Sequence, residues 1–542
     1  MFRNRYNLIH QRLLRNESFQ TSTFDAAKSS SRRSSSNIGT AQQSYKITPI
    51  ANLLGRNGSN HMLLGLLTIS PTGTLAISDL TGSIALDVTH AKPIPEDGAW
   101  FTPGMIVLVD GTYEEDNDTS GGLGGAGGVG GTLGGKFIGF FIGGPPCERR
   151  SVTLGVGGTN GEGDVTAGGG FGWVDFLGVG SEKAVGSKMR RIEQKLLKRA
   201  STDEQAPGRG RVVIIGEVNL DIPRTLQALK KILGIYAAEP EEDTPMTFVI
   251  TGSFVQHAVM ARGGSGGSIE YKEYFDSLAS TLSDYPTLLQ SATFVFVPGD
   301  NDGWASSFSA GAAVPLPRKP IPEMFTTRIK RAFANANSEG EKDKGEKSVG
   351  EPIWTTNPAR LSLFGPTHEI VVFRDNMSSR LRRTAIRFSS QSTDTEQDVH
   401  QDTEMPDSPP PASSPPHPPN DVNLDLEQTL ETATSHLPLP QQDPDLHSAR
   451  KLVKTILDQG YLSPFHLSAR PVLWDWASAL HIYPLPTAMV LVDPEAPPFC
   501  VTYEGCHVMN PGSVVALGRR GVGKWVEYDV GRRIGKVREV LF

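Results

Sequence analysis

Val297-Pro298-Gly299-Asp300-Asn301-Asp302 decides how this chain reads. It follows Ala292-Thr293-Phe294-Val295-Phe296, an apolar run that fits a buried strand. A tight Gly-Asp-Asn-Asp turn at the carboxyl end of such a strand is where open α/β folds gather ligands. Two similar runs precede it. Arg211-Val212-Val213-Ile214-Ile215 leads into Gly216-Glu217-Val218-Asn219-Leu220-Asp221. Phe248-Val249-Ile250-Thr251 leads into Gly252-Ser253-Phe254-Val255-Gln256. Helical spacing lies between them over Thr225–Leu233 and Tyr271–Leu282. Strands alternating with helices predict an α/β domain whose sheet is covered on both faces.

Turns at these strand ends invite comparison with two-metal phosphoesterases, where acidic, His and Asn side chains clamp the attacking and leaving oxygens. Their usual blocks are Asp-x-His, Gly-Asp-x-x-Asp, Gly-Asn-His-Asp/Glu and a final Gly-His-x-His. Here Glu217 takes the first Asp position and Asn219 the first His. Ser253 and Gln256 replace both carboxylates of the second block. Asp300 replaces the bridging Asn, Asn301 the His, and Asp302 closes the third block. Cys506 and Val508 take the last two His positions, and His507 falls out of step. A dinuclear centre needs the full ligand count, so no catalytic residue, metal or cofactor is expected. Glu217, Asp300 and Asp302 could hold one weak cation. The preferred reading is that Asp300 and Asp302 cap the turn and the following helix. His507 reads as a backbone-bonded imidazole and Cys506 as a small core residue. No Gly-rich segment has the spacing of a phosphate-cradling loop.

The chain has 542 residues, a net charge of −7 and three cysteines, Cys147, Cys500 and Cys506, none in a C-x-x-C pair. These values favour neither a bulk nucleic-acid binder nor a disulfide or zinc scaffold. No apolar run approaches the roughly 20 residues that cross a bilayer. Six regions follow from the punctuation. Residues 1–44 hold an amphipathic helix over 5–19 and a Ser-rich linker. That helix packs on its own domain or serves a partner. Residues 45–150 read as a small all-β barrel of the OB type, with strands at 63–69, 75–78, 83–88, 105–109 and 137–142 and a Gly-rich insertion at 119–135. Residues 151–204 are a Gly-rich and basic helical connector. Residues 205–375 and 449–542 are two parts of one α/β domain, the second with a helix at 449–457 and strands at 488–492, 499–503, 514–516 and 525–528. Residues 376–448, rich in Ser, Pro, Asp and Gln, read as a disordered insertion. Trp304, Phe325, Trp354, Trp474 and Trp476 are core or contact aromatics.

Longer motifs carry a resemblance. Leu316-Pro317-Arg318-Lys319-Pro320-Ile321-Pro322, Thr356-Asn357-Pro358-Ala359-Arg360-Leu361 and Glu369-Ile370-Val371-Val372-Phe373-Arg374-Asp375 are similar to the B-subunits of eukaryotic replicative DNA polymerases. Gln459-Gly460-Tyr461-Leu462-Ser463-Pro464-Phe465, Arg470-Pro471-Val472-Leu473-Trp474-Asp475, Tyr483-Pro484-Leu485-Pro486 and Tyr503–Ser513 resemble the epsilon branch of that family, in a fungal form. The resemblance covers about 1–20, 45–150 and 205–542. It implies α/β plus all-β architecture: an N-terminal OB-fold and an inactivated calcineurin-like phosphoesterase domain, a layered α/β sandwich. It also implies a nuclear, non-catalytic scaffold in DNA replication with no polymerase activity of its own. The implied partners are the C-terminal zinc-bearing region of the catalytic subunit, other polymerase subunits, the replicative helicase, and DNA within the holoenzyme, with no membrane. Two features depart from the family. Ala359 stands where it usually has Cys. The helical domain that usually precedes a segment like Phe2-Arg3-Asn4-Arg5-Tyr6, and makes much of the helicase link, is not in this sequence, as a true absence or a truncated gene model. The alternatives are a metal-dependent phosphodiesterase or 3′ exonuclease, and a single-stranded DNA-binding OB module.

Overall fold

The computed structural model describes residues 1–19, 45–71, 73–115, 132–154, 187–197, 208–258, 266–303, 314–340, 349–364, 368–388, 443–516 and 521–542. The Ser-rich linker, nearly all of both Gly-rich tracts, Trp304 and residues 389–442 of the expected disordered insertion lie outside them.

Six strands build the N-terminal barrel: β1 (Asn60–Ile69), β2 (Leu75–Ser78), β3 (Ser83–Asp87), β4 (Lys92–Ile94), β5 (Ile106–Glu114) and β6 (Thr132–Gly143). The order β3-β2-β1-β5-β6 closes through a β3–β6 pairing, and β4 continues the same edge of β6. The five expected strands are present. The three-residue β4 is too short to show as a pattern. Residues 132–135, assigned above to the insertion, belong to β6. Cross-strand bonding holds this Gly-rich segment, since Glu114 of β5 pairs with Lys136 beside it.

Two further sheets face each other. The first has the order β10-β9-β8-β7-β16-β17. β7 (Arg211–Ile215), β8 (Thr247–Thr251), β9 (Thr293–Val297) and β10 (Pro352–Trp354) run parallel, and β16 (Val522–Asp529) and β17 (Ile534–Leu541) add an antiparallel edge. The second has the order β11-β12-β13-β15-β14, from Ala359–Leu363 (β11), His368–Arg374 (β12), Ala488–Val492 (β13), Phe499–Tyr503 (β14) and Cys506–Asn510 (β15). β12, β13 and β15 are parallel. Val212, Ile214, Val249, Val295, Val372, Val490 and Met509 interleave between the sheets. The first sheet's outer face packs on α3 (Pro223–Ala237), α4 (Gly266–Ser283), α5 (Pro286–Ser291) and α6 (Glu323–Gly340). Both faces of β7, β8 and β13 are covered, so these strands read as continuous apolar runs. The expected strand at 514–516 is only an isolated bridge, Val515 to Gly523. The basic helix of the connector is α2 (Ser187–Leu197).

Residues 376–388 are ordered, contrary to the insertion boundary set above. α7 (Met377–Thr384) buries Met377 and Leu381, four residues apart on one face. Phe388 then meets the barrel's Phe101 edge-on at 5.8 Å. α8 begins within the same stretch, at Pro444, and runs to Gln459. It packs on the second sheet and on the barrel, so one apolar core runs through both. Gln459 seals the junction: its amide donates to Ile106 O at 2.7 Å and accepts from Ile106 N at 2.9 Å.

α1 (Phe2–Leu14) buries Tyr6, Ile9 and Leu13 against Leu64 and Ile106 of the barrel. It thus packs on its own domain. Arg12 donates to Pro145 O at 2.9 Å and to Asp458 O at 2.6 Å, tying barrel and α8 together. Arg15 forms a forked pair with Glu148 at 2.8 and 2.9 Å.

Candidate functional site

Parallel strands in both sheets end on the same side and converge their turns. Gly216-Glu217 follows β7, Gly252-Ser253 follows β8, and Gly299–Asp302 follows β9. Arg374 ends β12, with Asp375 next, and Asp493 follows β13. The turns lie very close together. A Cβ on Gly252 would strike Asp302 Oδ2, and one on Gly299 would strike Ser253. Glycine is required at both positions by approach, not by φ.

The structure brings Glu217, Asn219, Ser253, Gln256, Asp300, Asn301 and Asp302 into one neighbourhood. Asn219 Nδ2 donates to Ser253 O at 2.6 Å, and Ser253 N donates to Glu217 at 3.1 Å. Asn301 Nδ2 donates to Gln256 O at 2.6 Å. Asp302 accepts from Gly299 N at 2.7 Å, Phe254 N at 3.0 Å and Tyr271 Oη at 3.1 Å. It therefore clamps the turn, as the capping reading expects of Asp302; Asp300 instead accepts from Arg470, and the helix expected after the turn would fall at 304–313, outside the described residues. Burial pushes its carboxyl up to about 6, although the backbone donors pull the other way.

Four arginines that the metal-block comparison did not single out dominate the electrostatics. Arg374 grips Glu217 with both arms at 2.8 Å and reaches Asp300 at 3.5 Å. Arg470, fully buried, donates to Asp300 at 2.6 Å and approaches Asp375 at 3.3 Å. Arg380 holds Asp375 at 3.0 Å, and Arg318 donates to Asp302 O. Burial works against the charge on Arg374, yet Glu217, Asp300 and Asp375 outweigh it and raise its pKa. Burial likewise disfavours ionised Asp375, but Arg470, Arg380 and Arg374 hold its carboxyl below the usual range. Each acid in the turns is thus already answered by a guanidinium or by backbone N–H groups. Among the described residues, no three His, Cys, Asp or Glu side chains converge as a metal centre requires. Glu217 keeps a left-handed backbone, φ +48°, uncommon for a side chain of this size.

Cys506 and Val508 do not join this neighbourhood. They lie in the first half of β15, whereas the strand's carboxyl end, Asn510, points toward Asp493. Asn510 accepts from Asp493 N at 3.1 Å and from Gly512 N at 2.9 Å. His507 accepts from Gly535 N at 2.8 Å and contacts Thr502 Oγ1 at 2.8 Å, and burial lowers its pKa. It is the backbone-bonded imidazole expected. The fully buried Cys506 thiol is pushed up by its surroundings. The missed arginines had one sequence signal: Arg374-Asp375 sits where a buried strand ends, a costly place for charge without partners.

The contact aromatics divide cleanly. Phe325 is buried and Trp354 packs with it in the helix-covered core. Trp474 and Trp476 are 79% and 65% exposed, with Leu473 at 40% beside them.

Residues 212–501 match the family of B subunits of DNA polymerases alpha and epsilon. Residues 1–146 match the OB-fold domain of DNA polymerase epsilon subunit 2-like proteins. The chain is similar to the DNA polymerase epsilon B-subunit of Schizosaccharomyces pombe, at 33% identity over 95% of this chain and 66% of that protein. It is similar to the protein of the same name from Saccharomyces cerevisiae, at 34% identity over 97% of this chain and 67% of that protein. Human DNA polymerase epsilon subunit 2 matches at 25% identity over 96% of this chain and 72% of its own. The chain spans about two thirds of the length of the first two relatives. A solved archaeal phosphodiesterase aligns with 61% of this chain and 99% of its own at 10% identity, with a TM-score of 0.23, too low to carry an argument.

Proposed function

This chain belongs to the family of DNA polymerase epsilon B-subunits, and from that premise we propose that it is a non-catalytic scaffold in nuclear DNA replication. The observation that carries this reading is the arginine set. Glu217 and Asp300 bind guanidinium groups at positions where a phosphoesterase would bind metal ions, and Asp375 beside them binds Arg380. A divalent ion would have to displace a buried forked pair, which leaves an uncompensated charge behind. We read Glu217, Asn219, Ser253, Gln256, Asp300, Asn301 and Asp302, with Cys506 and Val508 at the remaining block positions, as relics of a calcineurin-like centre.

The scaffold has a surface to offer. Trp474 and Trp476 stand on a short 3-10 segment, Trp474–Leu480, whose buried side holds Ala477 and Leu480. Paired exposed tryptophans beside an exposed leucine suit the apolar heart of a protein interface. The proposed partner is the C-terminal zinc-bearing region of the catalytic subunit. Contacts to further polymerase subunits, to the replicative helicase and to DNA would follow from that assembly.

Co-expression of the full chain with that region, followed by co-purification, tests the proposal. A stable stoichiometric complex is expected, and failure to co-purify would overturn it. The rival phosphodiesterase reading predicts Mn-stimulated hydrolysis that Asp302→Ala abolishes. Absence of hydrolysis and of metal uptake by the purified chain removes that rival. A single-stranded DNA module would show oligonucleotide binding with a steep salt dependence.

A further inference from the structure

The end of the sandwich opposite the strand-end turns is cationic. α2 lies across the amino ends of the strands. A Cβ on Gly210, just before β7, would strike Leu197 Cδ2, and one on Gly531, in the turn between β16 and β17, would sit 4.0 Å from it. Leu196 and Leu197 pack on the core between the sheets, and Glu193 reaches His368 Nε2 at 3.4 Å, at the start of β12. Arg191 and Lys195, four residues apart, are left on the exposed side of the helix. Arg532 and Arg533 stand exposed in the adjoining turn. We propose that these four cations form a docking surface for the phosphate backbone of duplex DNA, without regard to base sequence.

Charge and the lack of rings lead to this partner. Among the described residues, none of the four side chains has an ion-pair or hydrogen-bond partner. The acids of the neighbouring strands and turns are engaged: Glu369 with Arg150 and Arg360, Glu504 with Arg149, and Asp529 with the N–H of Arg532. The whole chain carries a net charge of −7, so four unanswered cations at one end are a segregation of charge rather than an average. Burial and the charge of Arg533 hold the pKa of His368 below its ordinary value, which places the turn's positive field at the inner edge of α2 as well. Three of the four cations are arginines, whose planar fork suits phosphate oxygens. The exposed aromatic side chains, Tyr45, Phe140, Phe141, Trp474 and Trp476, belong to the barrel region and the 3-10 segment. Among the described residues at this end, the exposed large apolar side chains are the aliphatic Ile192 and Ile534. Single strands are held by stacking on rings, and protein interfaces are centred on aromatic anchors, so a duplex backbone is the better fit.

This contact requires no catalytic subunit and does not rest on the scaffold reading. Failure to co-purify leaves it standing, and absence of DNA binding leaves the scaffold standing. The test is fluorescence anisotropy of a labelled duplex of about 20 base pairs and arbitrary sequence, titrated with the full chain from about 50 to 200 mM chloride. Dissociation in the micromolar range is expected at low salt, with log affinity falling against log salt at a slope of about −3. Arg532→Gln with Arg533→Gln, and separately Arg191→Gln with Lys195→Gln, should each weaken binding about tenfold and make the slope shallower by about two. Arg328→Gln with Arg331→Gln, exposed on α6, should change neither. No saturable signal up to about 100 µM chain at the lowest salt overturns the proposal, as does binding that both cationic pairs leave unchanged. Preference for a single strand, abolished by Phe140→Ala with Phe141→Ala, assigns the DNA to the barrel and overturns it too. Poly-glutamate of matched charge binding as tightly as the duplex assigns the surface to an acidic protein segment, with the same consequence. All four substituted side chains are exposed, so the variants should fold, and an unchanged melting midpoint checks it.

Discussion

At the scale of single residues, the buried Glu217–Arg374 pair joins the two sheets. Arg374→Met leaves Glu217 buried and unpaired, and should lower stability by about 3–5 kcal/mol. Adding Glu217→Gln should recover much of that loss, because it removes the stranded charge. Chemical denaturation of the three variants measures both effects, and a double variant as weak as Arg374→Met alone would contradict the pairing. Asp302 yields a pH prediction. Its carboxyl titrates near 6 in the folded chain against an ordinary value of 3.8. A raised acid favours the fold while protonated, so its contribution is full below about pH 4 and is lost as pH rises through 6. The shift corresponds to an upper bound of about 3 kcal/mol. Asp302→Asn should flatten the stability profile between about pH 4 and 6, read from melting midpoints across that range. The turn itself was legible, since Asp300 and Asp302 follow an apolar strand directly. Its partners were not, because Arg470 lies 170 positions away from Asp300 along the chain and Arg374 arrives from the opposite sheet.

At the scale of elements, several long periodic segments were readable, but the 18-residue α6, the edge strand β17 and the shorter edges were not. α3, α4 and α8 announced themselves through apolar spacing. β4, β10 and β11 are three to five residues long and owe their existence to neighbouring strands rather than to propensity. α7 was hidden by the polar stretch that follows it, and only two apolar core residues, Met377 and Leu381, anchor it. On the proposed scaffold role, the 3-10 segment carrying Trp474 and Trp476 serves contact rather than folding. Changing both to Ala should abolish co-purification with the catalytic subunit's C-terminal region, a loss of roughly 2 kcal/mol or more per anchor, while the melting midpoint stays within about 2 °C. Retained co-purification would place the contact elsewhere. Gln459 makes the opposite case. Gln459→Ala strands a buried N–H and a buried C=O of Ile106 and should destabilise the chain by about 2–4 kcal/mol without touching any exposed surface.

At the scale of the whole molecule, barrel and sandwich share one core through α8, although composition suggested separable regions. Leu63, Val107 and Phe137 of the barrel belong to the same apolar cluster as Val371, Leu452 and Leu491. A single cooperative melting transition is expected by calorimetry, where two independent domains would give two. The flanks of residues 389–442 both dock on one part of the barrel: Phe388 on Phe101, and Lys451 on Asp97 and over the Trp100 ring. Replacing that stretch by a short linker should therefore change the melting midpoint little, because closing a loop between neighbouring anchors varies slowly with its length.

Arg12 of α1 bonds the carbonyl of Asp458, a separation of 446 residues. During synthesis α1 can settle on the barrel soon after β5 is made, but the acceptor for Arg12 is translated far later. At roughly 5–20 residues per second, the ribosome takes about 20 to 70 s to supply it. The α1 clasp is thus a late-closing record of completion: a nascent chain released before α8 has an Arg12 guanidinium lacking one of its acceptors and an uncovered apolar wall on the barrel.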